Sequence, residues 1–313
     1  TDANGCTYTT SALISNPQPL IIDSLSSTNV LCSGGTTGGL SISGSGGTGN
    51  LNYNLMPSNI NNANGQFLNL AANSYTITIT DANQCSITTS IIITEPLPLT
   101  AAVLNLQNVL CSGGISGQIE VGANGGTSPY LFTILPLNVN NGTGIFGNLT
   151  AGTYTVNVSD SNQCTASIQP IVITEPNAIK FDQITKQDIL CYGDSTGNIS
   201  VVASGGTGNI GFAISPLAGL QNPAGQFSAL TAGTYTIIAT DANNCTLSTI
   251  VTLTQNAAIL ITDVTMISPK CWGEANGIIQ VTGSGGIGLL TYSLDNANAN
   301  NNGFFGQQTG GNH

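Results

Sequence analysis

The chain contains the stretch Ala151-Gly152-Thr153-Tyr154-Thr155-Val156-Asn157-Val158-Ser159-Asp160-Ser161-Asn162-Gln163-Cys164, and closely related stretches lie at residues 73–85 and 232–245. Tyr154, Val156 and Val158 alternate with polar residues, which is the period of a strand with one buried face. The residues that follow, Asp160 to Asn162, form turns because their short side chains hydrogen-bond to their own backbone. A strand and turn that recur in this way predict a tandem repeat.

Eight cysteines mark the same repeat along the chain. They are separated by alternating short and long intervals, and this pattern recurs about every 80 residues. They are Cys6, Cys32, Cys85, Cys111, Cys164, Cys191, Cys245 and Cys271. Each period contains about seven short alternating segments joined by glycine-rich turns, and helical periodicity is absent. The sequence therefore predicts an all-β protein made of tandem immunoglobulin-like β-sandwich repeats of about 80 residues, arranged end to end.

The repeat pattern divides the chain into five segments. Residues 1–17 are expected to finish a preceding repeat, and residues 18–96, 97–176 and 177–256 to form three complete β-sandwich repeats. Residues 257–313 are expected to form part of a fourth. Because the sequence begins and stops inside repeats, we expect it to be a window on a longer, already processed polypeptide.

Alternate apolar residues predict the core of each repeat. In the first repeat these are Leu40, Ile42, Leu51, Tyr53, Leu55, Phe67, Leu70, Tyr75, Ile77 and Ile79. Tyr75, Tyr154 and Tyr235 each follow a Leu-x-Ala step. This is the place of a tyrosine corner, whose hydroxyl bonds to backbone a few residues upstream.

Composition excludes several classes of partner. Only 5% of the residues are charged, and the net charge is -11 because 14 acidic residues face only Lys180, Lys186 and Lys270. Nucleic-acid binding requires a basic surface, which this chain lacks. No apolar run reaches the roughly 18 residues that a membrane-spanning helix needs.

Catalysis is also not expected. The chain has no arginine, and its single histidine is His313. It therefore lacks a Ser-His-Asp set and a phosphate clamp, and its scattered carboxylates do not predict a paired site. We predict a protein without enzymatic activity.

Four motifs recur in a fixed order: Cys-(Ser/Tyr)-Gly, Gly-Gly-Thr, Ala-Gly-Thr-Tyr-Thr-Val and Asp-x-Asn-x-Cys. In that order they resemble the SprB-type repeat, which builds very large surface adhesins of gliding and related Bacteroidota. The resemblance implies type IX secretion, an extracellular, cell-surface location and a role in adhesion or gliding motility. It implies no catalytic residues. The chain departs from the pattern where Gln255-Asn256 replaces the Glu-Pro that closes the first two repeats.

The regular cysteines of an exported chain suggest disulfide bonds. Zinc is disfavoured because no Cys-x-x-Cys pair occurs.

Pairing inside repeats would join Cys32–Cys85, Cys111–Cys164 and Cys191–Cys245. Pairing at junctions would join Cys6–Cys32, Cys85–Cys111, Cys164–Cys191 and Cys245–Cys271. An immunoglobulin topology separates the two cysteines of one repeat beyond the ~7 Å limit between Cα atoms and favours Cys32–Cys164 and Cys111–Cys245 instead. Unpaired thiols are a further alternative. We favour pairing inside repeats, because a repeat is usually self-contained.

Other residues suggest modification or ion binding. Asp81, Asp160 and Asp241 recur in the turn, where they are expected to cap it, with calcium binding as the alternative and no other cofactor. Asp23-Ser24-Leu25 and Asp194-Ser195-Thr196 resemble an O-glycosylation motif of Bacteroidota, with Ser24 and Ser195 as acceptors.

Trp272 follows Cys271 and is expected to pack near it, with sugar stacking as the alternative. The loops at residues 59–64, 138–144, 219–224 and 296–302 vary most between repeats, and all are small and polar. We therefore predict a structural and adhesive segment of a surface filament, whose partners are neighbouring repeats and surface polysaccharide. The alternatives are an array of carbohydrate-binding modules and a fibre or sheath that assembles with like filaments through exposed strand edges.

Overall fold

The computed structural model describes residues 1–222, 224–295 and 298–312, and its regular elements within these ranges are all β-strands. The chain forms two compact units. Unit 1 comprises residues 1–107 and 117–173, and unit 2 comprises residues 108–116 and 174–313. The five segments of the sequence remain a prediction, since the units follow different boundaries.

Unit 1 contains four antiparallel sheets. Its strands are β1 (Ile21–Thr28), β2 (Gly38–Ser45), β3 (Asn52–Met56), β4 (Ile60–Asn62), β5 (Gln66–Leu70), β6 (Asn73–Thr80), β7 (Ser86–Ile93), β8 (Thr100–Gln107), β9 (Gly117–Asn124), β10 (Leu131–Leu135), β11 (Val139–Asn141), β12 (Ile145–Leu149), β13 (Gly152–Ser159) and β14 (Thr165–Ile173). The sheet orders are β1-β2-β5, β4-β3-β6-β7, β12-β9-β8 and β11-β10-β13-β14. A three-stranded and a four-stranded sheet thus alternate along the chain, in an immunoglobulin-like arrangement.

Unit 2 contains three antiparallel sheets. Its strands are β15 (Lys180–Gln187), β16 (Gly197–Ser204), β17 (Gly211–Ser215), β18 (Leu220–Asn222), β19 (Gln226–Leu230), β20 (Gly233–Thr240), β21 (Thr246–Leu253), β22 (Leu260–Ile267), β23 (Gly277–Ser284) and β24 (Phe304–Gln308). The orders are β15-β16-β19-β18, β17-β20-β21 and β22-β23-β24. Short β18 pairs with β19, whereas β4 and β11 of unit 1 pair with β3 and β10. Both arrangements are known among immunoglobulin-like sandwiches.

The alternation of apolar and polar residues correctly predicts which residues form the core. In the first sandwich, Leu40 and Phe67 of one sheet join Leu55 and Ile77 of the other in a single buried cluster. Leu51 lies at the margin of that cluster and is only partly buried. Strands β6 and β7 pair in regular antiparallel register, from Asn73↔Ile93 to Thr80↔Ser86, whereas the register of β13 and β14 shifts between Tyr154 and Val156. The strand period of two was therefore sufficient to identify these buried faces.

The tyrosine corners are confirmed. The hydroxyl groups of Tyr75, Tyr154 and Tyr235 donate to the carbonyl oxygens four residues upstream, at 3.0, 3.0 and 2.9 Å respectively. Each bond fastens the start of a long strand to the loop before it. The tyrosine ring can consequently be buried while its polar end remains satisfied.

The last segment differs from the others in its burial. Ile279 and Val281 of β23 are only half-buried, whereas Ile119 and Val121 of β9 are 0 and 1% exposed. Among the described residues after 257, β22, β23 and β24 form the one sheet, and the second sheet that would cover its apolar face is not present. Phe305 is nevertheless buried at 9% exposure.

Candidate functional site: two disulfide junctions

The recurring turn is held together by its aspartate. Asp160 is 5% exposed, and its Oδ1 accepts hydrogen bonds from the backbone N–H groups of Asn162 and Cys164, both at 2.9 Å. Its Oδ2 accepts a third bond from the N–H of Thr127 at 2.8 Å. Asp81 and Asp241 make the same three bonds in their own turns. The carboxylate therefore sets the backbone conformation that presents the cysteine.

The Gly-Gly-Thr motif is part of the same arrangement. Gly126 has a φ of +60°, and a Cβ added there would lie 2.6 Å from Oδ2 of Asp160. Only glycine combines this left-handed conformation with the close approach of a carboxylate. Thr127 of the Gly-Gly-Thr motif and Asp160 of the turn are 33 residues apart in sequence. The Gly-Gly-Thr motif and the turn nevertheless pack together as one structural feature.

Hydrogen bonding favours the ionised form of the Asp81 and Asp241 carboxylates. The N–H of Thr48 holds the pKa of Asp81 below its ordinary value, helped by the N–H groups of Cys85 and Asn83 and opposed by desolvation. At Asp241, burial acts to raise the pKa, but the N–H groups of Cys245, Thr207 and Asn243 together lower it. In each turn, both carboxylate oxygens are already engaged by backbone donors.

No metal cluster forms around these turns in the described part of the chain. Within that part, no group of three or more His, Cys, Asp or Glu residues is placed to hold a metal ion. His313 lies outside the described residues. The geometry of Asp81, Asp160 and Asp241 is that of turn capping.

A glutamate side chain helps to hold the loop that carries the other cysteine. The N–H of Gly34 donates to Oε2 of Glu95 at 2.6 Å, and the N–H of Gly35 donates to the carbonyl oxygen of Cys32 at 3.0 Å. In unit 2, Glu175 accepts from Gly113 at 2.6 Å. In the sequence the Glu-Pro pair marks only the close of the first two repeats, and the contact of its glutamate with the cysteine loop is evident only in the structure.

Gln255 explains why the third repeat tolerates its departure from Glu-Pro. Its Oε1 accepts a hydrogen bond from the N–H of Gly193 at 2.9 Å. An amide oxygen thus replaces the carboxylate oxygen as the acceptor, and the loop around Cys191 is held in the same way.

Each disulfide bond joins a turn that is held by an aspartate to a loop that is held by a glutamate. Cys32 is bonded to Cys164 in unit 1, and Cys111 is bonded to Cys245 in unit 2, each with a Cα–Cα distance of 5.6 Å. The preference for pairing inside repeats is therefore wrong, and the junction pairing does not form either. The pairing is the one that the immunoglobulin topology favours, because that topology places the two cysteines of one repeat at opposite ends. Cys6, Cys85, Cys191 and Cys271 are unpaired and exposed.

An asparagine secures each disulfide. The side-chain amide of Asn162 donates to the carbonyl oxygen of Leu31 at 3.1 Å, and that of Asn243 donates to the carbonyl oxygen of Leu110 at 3.0 Å. We call each set a junction: residues 31–34 with 160–164, and residues 110–113 with 241–245. The signal in the sequence was the asparagine of Asp-x-Asn-x-Cys, which had been interpreted only as a turn former.

The predicted modification sites are on the surface. Ser24 and Ser195 are both exposed, Ser24 on β1 and Ser195 in the loop after β15. The Oγ of Ser24 lies 2.6 Å from the Oγ of Ser43 on the neighbouring strand. Glycosylation of Ser24 and Ser195 remains a prediction.

Trp272 does not pack near Cys271 as expected. It is fully exposed, at 102%. Parts of two variable loops, Pro223 and Asn296 to Ala297, lie outside the described residues.

Paired antiparallel sheets, tyrosine corners and turns bonded through cysteine define a tandem immunoglobulin-like β-sandwich protein. The family model described as the SprB repeat matches residues 103–139, 184–219 and 264–299. These three segments match the SprB repeat.

Solved structures resemble the chain in fold alone. The immunoglobulin domains 1–5 of Sidekick-1 are 12% identical, with a TM-score of 0.27, over 84% of this chain and 63% of that one. Invasin, a bacterial integrin-binding protein, is 13% identical, with a TM-score of 0.29, over 91% and 74%. The surface layer protein SbsC, domains 1–6, is 13% identical, with a TM-score of 0.23, over 95% and 45%. The chain thus spans less than two thirds of Sidekick-1 domains 1–5 and of SbsC domains 1–6.

No curated protein matches the chain. Across the residues that the structure describes, no helix has the length and apolar character needed to cross a membrane.

Proposed function

We propose that this chain is a non-catalytic structural and adhesive segment of a large filament on the cell surface, which serves surface attachment or gliding. The observation that carries this proposal is the series of SprB repeats, in which consecutive repeats are cross-linked by disulfide bonds. Export through the type IX system follows from the same resemblance. Residues 18–96, 97–176 and 177–256 would be the repeated binding or spacing elements.

The physical character of the surface supports this role. A chain with 5% charged residues exposes Asn, Ser, Thr and backbone, which can make many weak hydrogen bonds to polysaccharide. Weak contacts repeated along one chain add avidity without a strong individual site. A filament of this kind binds a surface broadly and resists being detached at one point.

Retention of the full chain on surfaces tests the proposal. The purified chain would be passed over polysaccharide-coated and bare surfaces in a flow cell, with a reduced, alkylated and heat-unfolded sample as control. We expect retention on the coated surface that soluble polysaccharide competes away. Absence of retention at every accessible concentration would contradict adhesion by this segment and leave only a spacer role.

A second candidate function is carbohydrate binding through Trp272. The indole is fully exposed beside Lys270 and Thr309, and Tyr192, which follows Cys191, is 60% exposed at the matching place. An exposed aromatic ring with polar neighbours suits the apolar face of a sugar. If so, Trp272→Ala should abolish retention on the polysaccharide while Leu217→Ala, which removes another exposed apolar side chain, should leave it unchanged. Equal retention of both variants would contradict a role for Trp272.

A further inference from the structure

Each disulfide closes a loop that is longer than one repeat. The bonded cysteines are 132 residues apart in the first bond and 134 in the second, whereas the repeat recurs about every 80 residues. Cys111 consequently lies inside the loop closed by Cys32–Cys164, and Cys164 lies inside the loop closed by Cys111–Cys245. The two loops overlap, and residues 111–164 belong to both.

We infer that these overlapping loops are an extension stop, which limits how far the chain can be drawn out when its ends are pulled and which reduction releases. The inference goes beyond the proposed function. It concerns the response of the chain to tension, whatever surface the filament binds.

The limit follows from the covalent path between the two ends. In an oxidised chain that has been fully unfolded by force, the shortest path follows residues 1–32 and crosses to Cys164. It then returns along residues 164–111, crosses to Cys245 and continues to residue 313. The segments 33–110 and 165–244 are longer than the path that bypasses them, so they are never drawn taut. At about 3.4 Å per residue, roughly 160 residue lengths, or about 550 Å, are withheld.

The withheld length is about half of the full contour of the chain. It includes most of the first sandwich, since β2 to β7 lie between residues 38 and 93. Strands that are never drawn straight stay close to their partners, so re-pairing requires the closure of shorter loops. An intact chain should therefore recover from a pull more readily than a reduced one.

Reduction removes the stop by a defined reaction. A dithiol such as dithiothreitol attacks one sulfur of a disulfide, and the second thiol of the reagent displaces the first cysteine sulfur. Each protein disulfide gains two electrons and two protons and becomes two thiols, while the reagent becomes a cyclic disulfide. After both bonds are broken, the ends are connected only by the whole backbone.

Single-molecule force spectroscopy on the full chain tests the inference. The chain would be held by its two ends, and its final contour length would be measured with and without dithiothreitol. We expect the reduced chain to be about 550 Å longer. Equal lengths in the two conditions would overturn the inference.

Single substitutions distinguish overlapping loops from other pairings. Cys164→Ser and Cys245→Ser each leave one bond, which withholds about 450 Å, so the second bond adds only about 100 Å because the loops overlap. Cys85→Ser is the matched control and should leave the withheld length at about 550 Å. A fall to about 360 Å in Cys85→Ser would show that Cys32 is bonded to Cys85 and would overturn the inference.

The outcome is separate from that of the adhesion test. A chain that is not retained on any surface can still lengthen on reduction, and a chain that adheres can fail to lengthen. Failure of the extension stop therefore leaves the proposed adhesive role untouched, and the reverse also holds.

Discussion

The side-chain amide of Asn162 donates a hydrogen bond to the carbonyl oxygen of Leu31 at 3.1 Å, across 131 residues of sequence. Leu31 immediately precedes Cys32, and Asn162 lies two residues before Cys164, so the bond lies beside the disulfide that joins the two cysteines. The same amide also donates to Oγ1 of Thr127 at 3.1 Å. The turn is thus fastened to the loop by a hydrogen bond as well as by a covalent bond.

We expect Asn162→Ala to loosen the first junction. A hydrogen bond of this kind contributes about 1 kcal/mol to the free energy of unfolding, which corresponds to a Tm lower by about 2–4 °C. The Cys32–Cys164 bond should also be reduced faster, because the turn holds it less firmly. Calorimetry and timed alkylation during reduction measure the two effects. Asn83→Ala, at the matching place beside unpaired Cys85, is the control and should change neither.

Peptide mapping should recover the two long-range disulfides. Digestion without reductant is expected to yield linked peptides that contain Cys32 with Cys164 and Cys111 with Cys245. Cys6, Cys85, Cys191 and Cys271 are exposed thiols, so an alkylating reagent should modify these four in the native chain. Linked peptides that join Cys32 to Cys85 would contradict the structure.

Gly126→Ala should strongly destabilise the turn that contains Asp160, because Gly126 lies against its carboxylate. Its φ of +60° and the 2.6 Å approach of Asp160 Oδ2 to an added Cβ leave no room for alanine. We expect a loss of about 1–3 kcal/mol in the free energy of unfolding, measured by urea denaturation. Gly147→Ala is a suitable control, because no atom lies within 4 Å of its added Cβ and its φ is not positive. Equal effects of the two substitutions would show that the approach to Asp160 is unimportant.

Replacement of Glu175 should depend on whether an acceptor oxygen remains. Glu175→Ala removes the partner of the Gly113 N–H and should cost about 1 kcal/mol. Glu175→Gln should cost much less, since Gln255 already performs this role for Gly193. Thermal unfolding of both variants provides the comparison. If glutamine were as damaging as alanine, the negative charge would be required rather than the acceptor.

Acid should weaken the turns. Backbone donors lower the pKa of Asp81 and Asp241 in the folded chain, so the unfolded chain binds protons more readily than the folded one. The stability they contribute is present above the unfolded pKa of about 4 and is lost as the pH falls below it toward the lower folded pKa. We expect a constant Tm from pH 7 to about 5 and a decline below about 4. Asp81→Asn should make the decline shallower, and an equally steep decline in that variant would contradict a contribution from Asp81.

The strands and the buried faces could be predicted from residue order alone. Tyr154, Val156 and Val158 lie on one side of β13 because side chains alternate along any strand. The hydroxyl of Tyr154 bonds to Thr150, which is only four residues upstream. These interactions are local in sequence, so a pattern of neighbouring residues contains the information they require. The same holds for the turn-capping contacts of Asp160 with Asn162 and Cys164.

The tertiary structure determines which residues far apart in sequence form disulfide and hydrogen bonds with one another. Cys32 bonds to Cys164, Gly34 donates to Glu95 and Thr127 donates to Asp160. These contacts depend on which loops lie close together once the sheets have packed. Regular spacing of the cysteines is compatible with several pairings, because spacing along a chain does not specify distance in space. The sequence by itself therefore determined a tandem all-β repeat with its cores, and the packing of its sandwiches determined the cross-links that hold consecutive repeats together.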